Sequence, residues 1–305
     1  MENQTFIPGS EWVFFKIYTG KNTADEILKN ELIEYIKDLS LNSCIDKWFF
    51  IRYSDPDFHI RLRLHLLKNS YCFNTVFLRF FYFFQPLIEN NLIWNIQCDT
   101  YQREISRYGA NTISLVEEIF FVDSEHIINL LLKTSKKNSD YSWQLALVLI
   151  DSFMTAFSIQ ILQRKELMSQ LADNLKKEFG LIHHQSTKQL NLKYRLFRKE
   201  IENVMLWEND DNDIMDIIKS RCKTINPFAA TIIELKESGE LQVPFQSLIT
   251  SMIHMTMNRY FTTKNRLHEL VIYEFLSKFY SSEIAKYNKK HSLSLYLNKM
   301  NLYDN

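Results

Sequence analysis

The stretch FHIRLRLHL, residues 58–66, alternates apolar and basic side chains without interruption. One parity carries Phe58, Ile60, Leu62, Leu64 and Leu66, and the other carries His59, Arg61, Arg63 and His65. Successive side chains of a β-strand point to opposite faces of a sheet, so this alternation predicts a strand with one apolar and one cationic face. A polar outer face is common in antiparallel sheets. The same arginines also suit an anion-binding row, because a guanidinium is a planar fork that matches carboxylate or phosphate.

The first third of the chain contains three further strand-like segments and two helical ones. The predicted strands are residues 12–18, 47–53 and 92–101. The second of them is joined to FHIRLRLHL by SDPD, residues 54–57, whose Asp and Pro favour a turn, so a β-hairpin is predicted. Residues 24–39 carry an apolar stripe at helical spacing. Residues 73–90 are apolar nearly all round and are predicted to form a buried helix.

Beyond residue 110 the pattern is helical, since the whole chain has only 5 Gly and 5 Pro to interrupt helices. The predicted helices cover residues 113–134, 141–167, 187–206, 212–221, 227–238, 244–261 and 263–287. The expected fold class is α+β: a small, mostly antiparallel sheet with helices in the N-terminal third, and a helix-rich remainder docked on it. We expect a single domain over residues 1–305, with an α/β part (about 1–112) and a helical part (about 113–290).

Charge and motifs exclude several classes of function. Lys plus Arg and Asp plus Glu each total 36, so no global field attracts nucleic acid. The N-terminus lacks the features of a signal peptide, and no apolar window approaches the ~20 residues of a membrane span, so a cytoplasmic protein is expected. The 4 Cys are scattered and are expected to be reduced. No metal-binding, Gly-rich phosphate or GxSxG motif is present.

A second polar segment is TYQREISRYGA, residues 100–110. Arg103, Glu104 and Arg107 are spaced so that a helical turn would place all three on one side, and Gly109 would end that turn. An ordinary surface ion pair between Glu104 and Arg107 is the simplest interpretation. Flanking Tyr101 and Tyr108 favour a partly buried site.

The third segment is SLITSMIHMTMNRYF, residues 247–261. His254 and Asn258 are four residues apart and therefore share one side of a helix, with Arg259 beside them. A lone histidine on an apolar helix is most often a hydrogen-bonded core residue. The polar neighbours favour a pocket lined by this helix.

Taken in order, WVFFKIYTG, DKWFFIRYSDPDFHIRLRL, TYQREISRYG and SMIHMTMNR resemble the C-terminal domain of lantibiotic dehydratases, the thiopeptide-type bacteriocin biosynthesis family. The resemblance extends from Trp12 to about Phe279. In that family a glutamylation domain uses glutamyl-tRNA to esterify Ser or Thr of a precursor peptide, and the C-terminal domain eliminates glutamate to leave a dehydroamino acid. The chain has no room for a glutamylation domain, so it resembles a freestanding elimination component of a split dehydratase.

The resemblance also implies the site residues. The family relies on two arginines and one histidine, which by motif correspond to Arg61 or Arg63, to Arg107 and to His254. Arg61 and Arg63 are not distinguished, and Gly109 is followed by Ala110 where the family often has a second glycine. His254 is the first choice for removing the α-proton, with a tyrosine or a substrate-assisted route left open. The expected substrate-binding residues are Arg52, Tyr53, His59, Arg103, Glu104, Tyr108, Asn258 and Arg259.

Three functions remain open at this point. They are glutamate elimination, the cycloaddition that closes the pyridine ring of thiopeptides in a related branch, and a non-catalytic module that binds the precursor peptide. Elimination of an activated ester implies no metal or organic cofactor. The implied partners are a ribosomal precursor peptide and a separate glutamyl-tRNA-dependent glutamylation protein, with no direct nucleic-acid binding.

Overall fold

The computed structural model describes residues 3–67, 70–134, 140–181, 184–206 and 212–300. It contains a four-stranded antiparallel sheet and a separate two-stranded one. Within the larger sheet the strand order is β3-β4-β2-β5. The strands are β1 (Thr5–Phe6), β2 (Trp12–Thr19), β3 (Ile45–Ser54), β4 (Phe58–Leu66), β5 (Ile93–Asp99) and β6 (Tyr101–Gln102). The predicted α+β class is therefore confirmed.

The predicted hairpin forms between β3 and β4, and β4 begins and ends where its alternation does. Arg63 lies opposite Phe14 of β2 on one side and opposite Phe49 of β3 on the other. Arg61 lies opposite Lys16 and Ile51. Because opposed residues of antiparallel strands share a face, these aromatic and basic side chains line one side of the sheet, which we call the cationic face.

Helices that follow β2 and β4 cover the apolar face. They are α1 (Lys21–Ile27), a π-helical turn (Leu28–Leu32), α2 (Ile33–Leu41) and α3 (Ser70–Glu89). The rings of Phe15 and Phe80 stack 4.0 Å apart and join β2 to α3. The expectation that this helix is buried on all sides is wrong: Leu78 and Phe81 are 70% and 66% exposed. The sheet covers only one side of α3, so only the stripe facing the sheet is buried.

The cationic face is covered in its turn by later helices. These are α4 (Ile105–Tyr108), α5 (Ile113–Thr134) and α11 (Phe245–Tyr260), and α10 (Asn212–Glu237) packs on α5 in turn. As a result His59 and Arg63 are buried, so the cationic face is not the solvated outer side of an antiparallel sheet. The simpler of the two interpretations of FHIRLRLHL is thereby corrected.

The chain divides into two compact units. The first consists of Met1–Asn138 and Asp211–Asn265 and contains the sheet with its covering helices. The second consists of Ser139–Asp210 and Arg266–Asn305. It holds α6 (Asp140–Ala156), α7 (Ile161–Glu178), α8 (His184–Leu196), α9 (Arg198–Met205) and nearly all of α12 (Asn265–Met300). The division thus does not follow the boundary near residue 112, because three later helices pack in the same unit as the sheet.

Three helix predictions are wrong at their interruptions. Residues 187–206 form α8 and α9, with Phe197 between them, rather than one helix. Residues 141–167 form two helices rather than one, since α6 ends at Ala156 and Ser158 adopts a positive φ of 52°. Residues 212–238, predicted as two helices, form the single α10, which runs through Pro227. Across all described helices, none is both long and apolar enough to cross a lipid bilayer.

Candidate active site

Arg63 is the most unusual side chain on the cationic face. Its guanidinium carbon lies 4.6 Å from the ring centroid of Phe14, 5.2 Å from that of Phe49 and 4.9 Å from that of Tyr101. No described carboxylate lies within ion-pair distance of it, and its Nε has no hydrogen-bond partner among the described residues. Burial lowers the pKa of Arg63, and the charge of Arg61 lowers it further. A guanidinium nevertheless stays charged in proteins, so Arg63 is a buried cation held by three aromatic faces.

Arg63 opens onto a narrow cleft, which we call the Arg63 cleft. Its volume is about 30 Å³, enough for only a few water molecules. The other residues that line it are Phe49, Ile51, Tyr101, Gln102, Glu104, Tyr108, Ile113, Phe120 and Met255. The sheet, α4, α5 and α11 all contribute to the walls. The cleft is therefore a point at which segments far apart in the sequence meet.

Arg61 lies two residues before Arg63 on the same face of β4. Its guanidinium carbon is 3.5 Å from the centroid of the Tyr53 ring, and its Nε donates to Nε2 of His59 over 3.1 Å. The side chain is half-buried. Arg61 thus differs from Arg63 in being fixed by a directed hydrogen bond as well as by an aromatic ring.

Arg107 and Glu104 stand at the mouth of the cleft. Arg107 Nη1 lies 3.0 Å from Glu104 Oε2, and both side chains are about half exposed. The pKa of Arg107 is raised: burial opposes the shift, but the charge of Glu104 and the interactions with Tyr108, including a hydrogen bond, outweigh it. Tyr53, whose ring carries Arg61, is close enough to Arg107 to contribute to the same pKa shift.

The loop after Arg107 depends on Gly109, which has a φ of +79°. A Cβ at this position would lie 2.8 Å from Thr112 Oγ1. Positive φ is disfavoured for residues with a Cβ, so glycine is needed here on two counts. The second glycine of the family pattern is replaced by Ala110, whose N–H donates to Gln242 Oε1 over 2.9 Å.

Two tyrosines of the cleft stay protonated at neutral pH. Burial raises the pKa of Tyr108 to about 12, with the charge of Glu104 adding to the effect. Burial also raises the pKa of Tyr101 well above its ordinary value, and its hydroxyl donates to Glu117 Oε1 over 2.7 Å. Both phenols can therefore donate a hydrogen bond, but neither is suited to accept a proton as a base.

His254 lies on α11, the helix that supplies one wall of the cleft through its neighbour Met255. The side chain is half-buried. One turn later Asn258 fixes the helix to the edge of the sheet: its Oδ1 accepts from the backbone N–H of Arg52 over 2.9 Å, and its Nδ2 donates to the Arg52 carbonyl over 2.8 Å. Asn258 therefore pairs with β3 as a neighbouring strand would.

The other predicted arginines are held by carboxylates. Arg103 binds both oxygens of Glu117, with Nε at 2.7 Å and Nη2 at 2.6 Å. Its expected place beside Glu104 and Arg107 on a helical turn is wrong, because Arg103 precedes α4 and turns toward α5 instead. Arg259 binds Asp123 at 3.0 Å. Each of these arginines is therefore neutralised inside the protein.

Arg52 is also separated from Arg61 and Arg63 of β4. It lies on the opposite face of β3 from Tyr53, because adjacent strand residues point to opposite sides. Its Nη2 lies 2.6 Å from Asp25, and its Nε donates to the Arg259 carbonyl over 3.0 Å. Its contacts thus resemble those of the other paired arginines.

Two carboxylates on α5 that hold buried arginines were not predicted from the sequence. Glu117 is fully buried, and Asp123 lies between Arg259 and Arg221, 2.8 Å from the Nε of the latter. The only signal was an acidic residue repeated within the apolar run LVEEIFFVDSE. In the part of the chain that the structure describes, no group of three His, Cys, Asp or Glu is placed to hold a metal ion.

Comparison of the sequence with known protein families assigns most of the chain to one family. Residues 12–280 match the family described as the C-terminal part of lantibiotic biosynthesis dehydratases, and the chain belongs to that family. It is 25% identical to the nisin biosynthesis protein NisB of Lactococcus lactis over 94% of this chain and 27% of NisB. It is 22% identical to the subtilin biosynthesis protein SpaB of Bacillus subtilis over 92% of this chain and 27% of SpaB. The chain thus spans about a quarter of the length of these relatives.

Solved structures share the fold at lower identity. The tRNA-dependent lantibiotic dehydratase MibB of Microbispora matches with a TM-score of 0.71 and 16% identity, over 88% of this chain and 28% of MibB. The pyridine synthase TbtD from thiomuracin biosynthesis matches with a TM-score of 0.63 and 13% identity, over 89% of this chain and 99% of TbtD. The fold is therefore present both within a larger dehydratase and as nearly the whole of a pyridine synthase.

Proposed function

We propose that this chain is the elimination component of a lantibiotic-type dehydratase: a lyase that removes glutamate from glutamylated Ser or Thr of a ribosomal precursor peptide. A separate glutamyl-tRNA-dependent protein would supply the glutamylated peptide, and the reaction would take place in the cytoplasm. Family membership supports a role in peptide dehydration. The choice of elimination rests on the cleft.

The observation that carries the proposal is the buried, unpaired guanidinium of Arg63. A buried cation without a counterion is costly, so folded proteins seldom keep one without a reason. The leaving group of the proposed reaction is a carboxylate, which is the anion that a guanidinium binds best. A site walled by aromatic rings and largely closed to water strengthens such an interaction. Arg63 is accordingly our choice for the residue that meets the departing carboxylate.

Arg61 and Arg107 would act at the mouth of the cleft. The glutamyl group carries two carboxyl functions, one esterified and one free, so one cation can meet the departing carboxylate while another holds the free one. The cleft is too small to admit such a group without movement, but Glu104 and Arg107 are exposed side chains that can rotate. Substrate binding would then exchange the Glu104–Arg107 ion pair for one between Arg107 and a substrate carboxylate.

His254 is proposed to move the α-proton. Elimination needs a base near Cα and stabilisation of the enolate-like charge that forms there. The raised pKa values of Tyr101 and Tyr108 count against a tyrosine in this role. A half-buried imidazole on a helix of the cleft wall fits it better, and a substrate-assisted route is the remaining alternative.

A second candidate function is pyridine-forming cycloaddition. It is favoured by the match to TbtD, a pyridine synthase of which this chain covers 99%. A peptide that already contains dehydroalanines and azoles would be the substrate in that case. A cation that binds a carboxylate leaving group has no evident use in the cycloaddition step, so the Arg63 cleft favours elimination.

The deciding experiment incubates the purified chain with a chemically glutamylated peptide and follows the peptide mass. Loss of glutamic acid with formation of a dehydroamino acid supports the proposal. Arg63→Lys should lower kcat/KM about 10²-fold or more, because one oxyanion-stabilising group is worth that much. The matched control is Arg198→Lys in α9, an exposed arginine that pairs with Glu202 at 3.2 Å. An intact glutamyl peptide with the wild-type protein, or full activity of Arg63→Lys, would contradict the proposal.

A further inference from the structure

We infer that His59 is a positioning residue: as a neutral imidazole it holds Arg61 in place for the substrate carboxylate, and its protonation releases Arg61. This inference rests on the proposed function, since it assigns a purpose to Arg61. The sequence places His59 among the residues expected to bind substrate. The structure gives it a different part, because the side chain is fully buried and its two ring nitrogens are both engaged by the protein.

The two hydrogen bonds of His59 determine its protonation state. Nδ1 lies 2.9 Å from the Asp57 carbonyl oxygen, which can only accept, so Nδ1 must carry the proton. Nε2 lies 3.1 Å from Nε of Arg61, which can only donate, so Nε2 must be unprotonated. Both bonds form together only in the neutral imidazole with its proton on Nδ1. A second proton would place two N–H donors face to face.

The bond from His59 fixes Arg61 while leaving its terminal nitrogens available. The Tyr53 ring lies against the guanidinium carbon at 3.5 Å, and Nε is the nitrogen that His59 accepts from. Among the described residues none accepts a hydrogen bond from Nη1 or Nη2 of Arg61. A guanidinium that is held through Nε and stacked on a ring presents its other two nitrogens together, as bidentate carboxylate binding requires.

The surroundings favour the neutral form of His59. Burial lowers its pKa, the hydrogen bond to Asp57 works in the opposite direction, and the charges of Arg61 and Lys16 lower it further. The remaining groups that face it are the rings of Tyr18 and Tyr53, at 4.6 and 5.7 Å, and Asp55, whose charge slightly favours protonation. Asp99 is occupied by Lys16, whose Nζ lies 2.5 Å away. His59 therefore stays neutral near pH 7 and gains its proton only in acid.

The second imidazole of β4 provides a matched control. His65 lies on the same face, at the opposite end of β4 from His59. Its Nδ1 is 2.6 Å from the carboxylate of Asp46 on β3. A substitution there changes a histidine of the same strand and face without touching Arg61. It therefore separates the effect of the His59–Arg61 bond from that of altering β4.

The test compares three variants in the elimination assay as a function of pH. His59→Leu removes the acceptor and should lower kcat/KM about tenfold or more at pH 7, whereas His65→Leu should leave it within about threefold. His59→Gln offers an amide oxygen that cannot titrate, so it should restore most of the activity at pH 7. It should also retain activity at acidic pH values where the wild-type rate falls.

Two outcomes would overturn the inference while leaving the proposed function intact. One is a His59→Leu variant as active as wild type, and the other is a histidine nitrogen NMR spectrum at pH 7 in which His59 carries its proton on Nε2. Equal losses in the Leu and Gln variants would assign His59 a purely structural role and also overturn it. If the wild-type protein leaves glutamyl peptide intact, the proposed function itself fails. In that case the inference about His59 survives only if His59→Leu weakens binding of the glutamyl peptide.

Discussion

Buried arginines occur in two settings in this protein, with a carboxylate partner and without one. The difference distinguishes arginines that stabilise the fold from one that is available to bind a substrate. Arg52, Arg103, Arg221 and Arg259 are buried, and each lies within ion-pair distance of a carboxylate. Arg63 is buried to the same degree as Arg103, both being 8% exposed, yet it has no ion-pair partner among the described residues and lies against the rings of Phe14, Phe49 and Tyr101. Folding stability accounts for the first group, whereas Arg63 is better explained by an anion that arrives with the substrate.

The largest effect is expected when a buried arginine loses its carboxylate partner. Glu117→Gln leaves the Arg103 guanidinium buried without a counterion, and we expect the free energy of unfolding to fall by about 3–5 kcal/mol. Urea unfolding measures it. Glu118→Gln is the matched control: Glu118 neighbours Glu117 on α5 but forms a partly exposed pair with Lys47, so a loss under about 1 kcal/mol is expected. Similar losses in both variants would contradict this account.

A smaller effect is expected where α11 meets the sheet edge. Asn258→Leu leaves the N–H and carbonyl of Arg52 without their partner, which should lower the free energy of unfolding by about 1–3 kcal/mol. Asn258→Asp retains the acceptor and loses the donor, so its loss should be smaller than that of the Leu variant. Because α11 carries His254, we also expect elimination to slow in the Leu variant. Unchanged stability would mean that Asn258 does not fix the helix to β3.

The sequence predicted most of the larger sheet because FHIRLRLHL alternates strictly and the other strand segments are rich in aromatic and β-branched residues. FHIRLRLHL and the helix over residues 113–134 were delimited to the residue. The positions at which the later helices are interrupted were harder to predict. Pro227 looked like a helix end, but a helix can tolerate the missing N–H when packing compensates for it. Ser158 gave no sign of its positive φ.

The candidate site was predicted in part. Arg63, Glu104 and Tyr108 line one cleft, Arg107 pairs with Glu104 at its mouth, and Arg61 lies two residues before Arg63 on the same face of β4. What the sequence could not reveal was which arginines have carboxylate partners, because the partner of Arg103 is 14 residues away and that of Arg259 is 136 residues away. Pairing across such distances depends on tertiary packing. For the same reason the role of His59 became visible only once both of its ring nitrogens had identified neighbours.

The free energy of unfolding of Arg63→Met tests the central claim most directly. Methionine fills a similar volume without a charge, so removing an unpaired buried cation should leave the protein as stable as wild type or more stable by about 1 kcal/mol. The same variant should leave the glutamyl peptide intact. A loss of about 3 kcal/mol or more, as expected for Glu117→Gln, would mean that Arg63 is structural and would contradict the account.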